Sequence, residues 1–210
     1  MMNKPTRKPA RAVIPVFWDI NMCPVPSGFD PSRVRPCIKL YLKNRGYSHR
    51  RVTITAVGVL ANVPARILRS VFSSGISLIN FPYGSGSSDT SEVVFVFAEN
   101  NPPSNIMVIS DPNIFTGVSG YLGYTKHHLL QPCPYDSLQS LLEQDSGAPD
   151  EETVESALWD CLVCHRDPPS HVFEDLIPHL HGEEHEELLQ KRITHVEDIT
   201  MGLDTTSTKA

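Results

Sequence analysis

Apolar, β-rich runs recur along the first two thirds of the chain, each separated from the next by a helix-compatible segment. The runs are VIPVFWD (Val13–Asp19), VTITAVG (Val52–Gly58), ISLINF (Ile76–Phe81), IMVIS (Ile106–Ser110) and a short Lys126–Leu130. Between them, Asp30-Pro31 opens a helix that Gly46 closes, and Pro36 makes its first turns irregular. Asn62-Val63-Pro64 opens a second helix to Phe72, Ser88 or Asp89 a third to Asn100, and Phe115–Gly123 forms a fourth. Strands spaced by helices require right-handed crossovers, so the pattern predicts an α/β fold with a mainly parallel sheet.

Such a sheet binds ligands at the carboxyl ends of its strands. Asp19 ends the first strand, Asp89 opens the helix after the third, and Asp111 follows the fourth. Asn21 and Glu92 stand close behind; Glu92 is three residues after Asp89, hence on the same helical face. An oxygen-rich cluster of this kind suits Mg²⁺ or Mn²⁺ and can activate water for phosphodiester hydrolysis. Any single Asp after a strand serves equally well as a turn former or helix cap, so the expectation rests on the three positions together.

Charge is divided unevenly. Residues 1–143 carry 14 Lys and Arg against 8 Asp and Glu, whereas residues 144–210 carry 4 against 16. A positive first domain attracts nucleic acid and a negative tail repels it. Arg50, Arg51, Arg66 and Arg69 are candidate phosphate contacts, although exposed arginines are commonly just solvated. The Gly-Ser stretch GSGSS is read as a flexible turn rather than a phosphate cradle. No apolar run approaches the ~20 residues needed to span a bilayer, so no membrane role is expected. The basic start, MMNKPTRKPARAV, lacks the apolar core of a secretory signal. With an odd count of five cysteines, this predicts a reducing compartment, cytoplasmic or nuclear.

VFWDINMCPVPSGFDP, ITAVG, FPYGSGSSDTSEVVFVFAENNPPSNIMVIS and GYTKHHLLQP resemble the limkain-type NYN domain. This PIN-like nuclease domain occurs in meiosis arrest female protein and in many small plant proteins. The likeness runs from about Val13 to Pro132. It implies a Rossmann-like PIN fold, Mg²⁺-dependent cleavage of single-stranded RNA and a part in regulating gene expression. It also leaves open a peroxisome association, for which no targeting motif is present. Asp19 matches the first family aspartate and Asn21 lies near its accompanying polar residue. Asp89 opens the next acidic motif, but the second aspartate of that motif falls at Val96. The family's I-S-G-D-x-D-F becomes Ile109-Ser110-Asp111-Pro112-Asn113-Ile114-Phe115. Without a gap both aspartates are lost, to Pro112 and Ile114; with slippage Asp111 replaces the first. The acidic site is therefore partly degenerate, and a catalytically inactive RNA-binding or protein-interaction adaptor is the alternative.

The second module is Cys161-x2-Cys164-x14-His179-x5-His185, two thiols and two imidazoles suited to a closed tetrahedral zinc site. HLHGEEH resembles the U1- or matrin-type C2H2 zinc finger. His181 with His185 is an alternative pairing, and His165 and His171 are read as bystanders. Lysines usual around the second histidine are replaced by Glu183, Glu184, Glu186 and Glu187, which favours a protein partner over RNA. The expected organisation is a basic arm (1–12), the NYN domain (13–143), an acidic linker (144–157), a C2H2 finger (158–190) and a disordered tail (191–210).

Overall fold

The computed structural model describes residues 13–47, 51–82, 87–111, 115–130, 139–140, 142–143, 156–164 and 168–204. Its centre is β1 (Ile14–Asp19), buried at every position. A strand apolar on both faces belongs in the middle of a sheet covered by helices on each side. β2 (Val52–Gly58) pairs with it on one flank and β4 (Asn105–Ile109), also wholly buried, on the other. β3 (Ser77–Asn80) lies outside β2, and β5 (His128–Leu129) outside β4. β6 (Trp159–Cys161) adds to β3, giving the order β5-β4-β1-β2-β3-β6 with every pairing parallel.

Helices cover both faces. α1 (Val34–Leu42) follows a single 3₁₀ turn, Pro31–Arg33, whose cap Asp30 accepts from the Ser32 amide at 3.0 Å. Pro36 is tolerated because it sits in the first α-turn, where amides have no intrahelical acceptor. Gly46, at φ 89°, ends the segment in a left-handed conformation natural to glycine. α2 (Ala65–Ser73) buries Leu68 and Val71 on the same face as α1. α3 (Ser87–Asn100) and α4 (Phe115–Tyr124) cover the opposite face through Val94, Ala98, Val118 and Leu122.

The C-terminal region, where a C2H2 finger is expected over 158–190, packs against the sheet. Trp159, Cys161, Val163, Phe173, Leu176 and Leu180 belong to the same apolar cluster as β1, α1 and α2. Its three-residue strand is too short to stand alone; it pairs with β3 on one side, and on the other Trp159 exchanges backbone hydrogen bonds with Ser170. α5 (Leu176–Leu180) and α6 (Glu183–Asp204) follow. The helix thus runs through residues 191–204, expected as a tail; this stretch contains no Pro and one Gly, at 202. The arm 1–12, linker residues 144–155 and residues 205–210 lie outside the described residues. No helix among the described residues is long and apolar enough to cross a membrane.

Candidate functional sites

Strand order reverses between β1 and β4, so the crevice beyond their carboxyl ends is the topological switch point of the sheet. Asp19 lies there, 3% exposed. Its Oδ1 accepts from the backbone amides of Asn21 (3.2 Å) and Met22 (2.8 Å), turning the chain sharply off β1. Its Oδ2 accepts from the hydroxyls of Thr90 (3.1 Å) and Ser110 (3.0 Å). One carboxylate therefore ties together β1, the first turn of α3 and the end of β4.

Strand alternation explains why Ser110 rather than Asp111 reaches Asp19. Phe17, Ile106 and Val108 face the α3–α4 layer, whereas Trp18, Met107 and Ile109 face the α1–α2 layer. With period two, Asp19 and Ser110 continue the first set and leave Asp111 to the second. Thr90 and Ser110, each beside an expected acid, were missed by sequence reasoning. Counting alternation from Val108 would have found Ser110; nothing singles out Thr90.

Asn21 is committed elsewhere. Its Oδ1 accepts from the Val59 amide at 2.7 Å and its Nδ2 donates to the Val59 carbonyl at 3.3 Å, clasping the ends of β1 and β2. Gly58 permits the clasp, since a Cβ there would collide with the Asn21 amide. Glu92 is exposed on α3 and Asp111 half-buried; Asp89 falls in the first turn of α3, its side chain outside the described residues. Among the described residues, Asp19, Glu92 and Asp111 do not form a group whose ligand atoms could share one ion. Among the described side chains Asp19 is the one buried carboxylate at the crevice, and, already engaged by four donors, it does not by itself fit Mg²⁺, which demands a near-octahedral oxygen shell.

The arginines are scattered. Arg51 immediately precedes β2, at the amino end of the sheet and across it from the switch point. Arg69 donates from Nη1 to Glu174 Oε1 at 2.8 Å and stacks over Phe173, linking α2 to the C-terminal region. Arg66, exposed in the first turn of α2, stands at the carboxyl side. Arg50 lies outside the described residues.

The cysteines and histidines come together. One ligand atom from each of Cys161, Cys164, His179 and His185 lies within 4.8 Å of the others, the one such group among the described residues. His185 Nδ1 is 3.6 Å from Cys161 Sγ and 3.3 Å from Cys164 Sγ. Ideal tetrahedral zinc bonds put such S···N edges at about 3.6 Å. His179, tilted against Trp159 and edge-on to His185, has a buried Nε2 that makes no hydrogen bond. Burial, with the neighbouring Cys161, pushes the Cys164 thiol up to about 11, and burial lowers the His185 pKa from 6.5. Without a cation the pocket thus favours neutral thiol and neutral imidazole, whereas a bound metal requires thiolate. His181, the alternative ligand, is exposed and outside the group.

No curated protein matches the sequence at a significant level. The NYN domain family matches residues 13–127, more than half of the 210-residue chain, and spans β1 to the threshold of β5 with Asp19 inside it. The chain belongs to the NYN-domain family.

Proposed function

We propose that this chain acts on single-stranded RNA through the carboxyl side of its NYN sheet, binding it without hydrolysis. Family membership supports RNA as the target, and the basic balance of residues 1–143 supports attraction of its backbone. The observation that favours binding alone is Asp19, whose carboxylate is taken up by four protein donors. Asp19 then works as a buried tie that shapes the crevice, and Arg66, exposed in the first turn of α2 on the carboxyl side, is the candidate phosphate contact.

A second reading is a divalent-metal-dependent endoribonuclease, favoured by the position of Asp19 at the switch point with Asp89, Asp111 and Glu92 on neighbouring segments. Purified full-length chain incubated with labelled single-stranded RNA in Mg²⁺, Mn²⁺ or EDTA separates the two. Retarded but intact RNA in all three supports binding. Cleavage that EDTA stops and Asp19→Asn abolishes establishes the nuclease and overturns the first reading.

For the C-terminal region we propose a structural zinc ion held by Cys161, Cys164, His179 and His185. Four converging donors of the right kinds carry this assignment. Glu183, Glu184, Glu186 and Glu187 are all exposed at the start of α6, a surface suited to a basic protein partner rather than RNA. Thiols kept for metal fit the cytoplasm or nucleus, where they stay reduced.

A further inference from the structure

We propose that the Cys2His2 site and the NYN sheet form one cooperative unit, with Asn80 as the positioning residue that couples them. This rests on the zinc assignment above. Asn80 ends β3 directly opposite Cys161 and is 2% exposed. Its carbonyl accepts from the Leu162 amide at 3.0 Å, fixing the backbone just after Cys161. Its Nδ2 donates to Cys161 Sγ at 3.4 Å, and its Oδ1 accepts from the Leu60 amide at 2.9 Å. A single buried side chain therefore reaches from a metal ligand to the loop that opens α2.

The chemistry needs an amide at this position. An N–H aimed at sulfur stabilises the thiolate and holds its rotamer, as hydrogen bonds around a metal's ligands generally do. The carbonyl half of the same group satisfies a buried backbone donor that would otherwise be costly. Asp would keep the acceptor for Leu60 but would face the thiolate with negative charge.

The surroundings tie the same two regions. Leu78 donates to the Leu158 carbonyl at 2.9 Å, and the Ser77 hydroxyl accepts from the Leu158 amide at 3.3 Å. Phe72 of α2 packs on Phe173 with ring centroids 5.5 Å apart. The apolar residues that would fill a free-standing finger are instead part of the NYN core. Metal binding is thus expected to order β3 and the Leu60 loop along with its own ligands.

The test uses the full chain, with zinc content, a competing chelator titration and hydrogen exchange measured together. Chelation is expected to raise exchange in residues 156–190 and also in Ser77–Asn80 and around Leu60. Asn80→Asp is expected to lower zinc affinity 10- to 100-fold, while the zinc-saturated variant keeps Leu60 protected. Asn80→Ala should lose both affinity and that protection. If Asn80→Ala does not fold, the wild-type exchange map and Asn80→Asp still decide. Exchange confined to residues 156–190, or wild-type affinity in Asn80→Asp, overturns the coupling while leaving the zinc assignment standing. Wild-type protein that binds no zinc overturns both.

Discussion

The crevice between β1 and β4 and the cluster beside β3 and β6 both gather groups that can bind metal, yet they differ in what those groups already do. At the first, the buried acceptor is engaged by donors from three segments. At the second, two thiols and two imidazoles converge within reach of one ion, and the buried Nε2 of His179 makes no hydrogen bond. A carboxylate oxygen is easily satisfied by amides and hydroxyls, which every fold supplies in number. A thiol is a weak hydrogen-bonding group, so one buried and one half-buried thiol beside two imidazoles are poorly explained without a cation. The comparison teaches that convergence of ligands matters less than whether protein donors have claimed them.

The sharpest break would come from Cys161→Ser. Structural zinc in small modules is worth roughly 10–16 kcal/mol of apparent folding free energy, so this change should remove stoichiometric zinc and the order of residues 156–190. Metal analysis checks it, and full zinc retention would show that other ligands hold the ion.

At the other site, Asp19→Ala should leave Thr90, Ser110 and two backbone amides without their acceptor. Charge-assisted hydrogen bonds are worth about 1.5–3 kcal/mol each, and the loss of a buried acceptor about 3–5 kcal/mol in total. Urea denaturation at pH 7 reads this directly. A loss below about 1 kcal/mol would mean that Asp19 is no structural tie and would revive the hydrolytic reading.

Proton release gives an intermediate effect. Cys164 is raised to about 11 and His185 is lowered below 6.5, so near pH 7 the metal-free site holds neutral thiol and neutral imidazole. Binding through Cys164 releases its thiol proton, which should make zinc affinity rise about tenfold per pH unit between 7 and 8 on that account. Chelator competition measures the slope. For the metal-free chain the sign follows from the raised thiol: its stability contribution, intact below the ordinary thiol pKa, should be lost as pH climbs through about 11. A slope near zero would show that the Cys164 thiol is not a ligand.

The smallest effect is expected for Arg69→Ala, which removes an exposed ion pair with Glu174 and a stack on Phe173. An ion pair this exposed is largely screened by solvent and adds little, and the guanidinium stack contributes about 0.5–1 kcal/mol. Thermal denaturation should move by only a few degrees, and RNA affinity should not change. A marked loss of RNA binding would return Arg69 to the interface suggested by its charge alone.

Much of the fold is legible in the sequence because central parallel strands are apolar on both faces and stand out as continuous runs. IPVFWD and NIMVI are such strands. β6 is not legible: three residues, WDC, have no periodicity, and their pairing with SLIN depends on a segment 81 residues upstream. The cluster is readable from spacing because its two thiols sit one turn apart and its histidines flank a short helical break. The acidic site is less so: strand parity, which the apolar run carries, sets Ser110 rather than Asp111 beside Asp19, whereas Asn21 reads as a polar neighbour although it is bonded to Val59. Asn80 carries no sequence signal at all, since its partners Leu60 and Cys161 are remote in the chain.

The flanks of the sheet are closed in different ways. On one side β5 is two residues long, too short to offer much of a template. On the other, β6 lies along β3 and occupies its outer hydrogen-bonding groups from Leu78 to Asn80. Unpaired strand margins recruit strands from neighbouring molecules, and natural proteins shorten or cover them. Here the cover ends at Cys161, one of the four proposed zinc ligands. Colloidal behaviour should therefore follow zinc supply: in a chain deprived of metal, self-association through an uncovered β3 would precede any collapse of the sheet behind it.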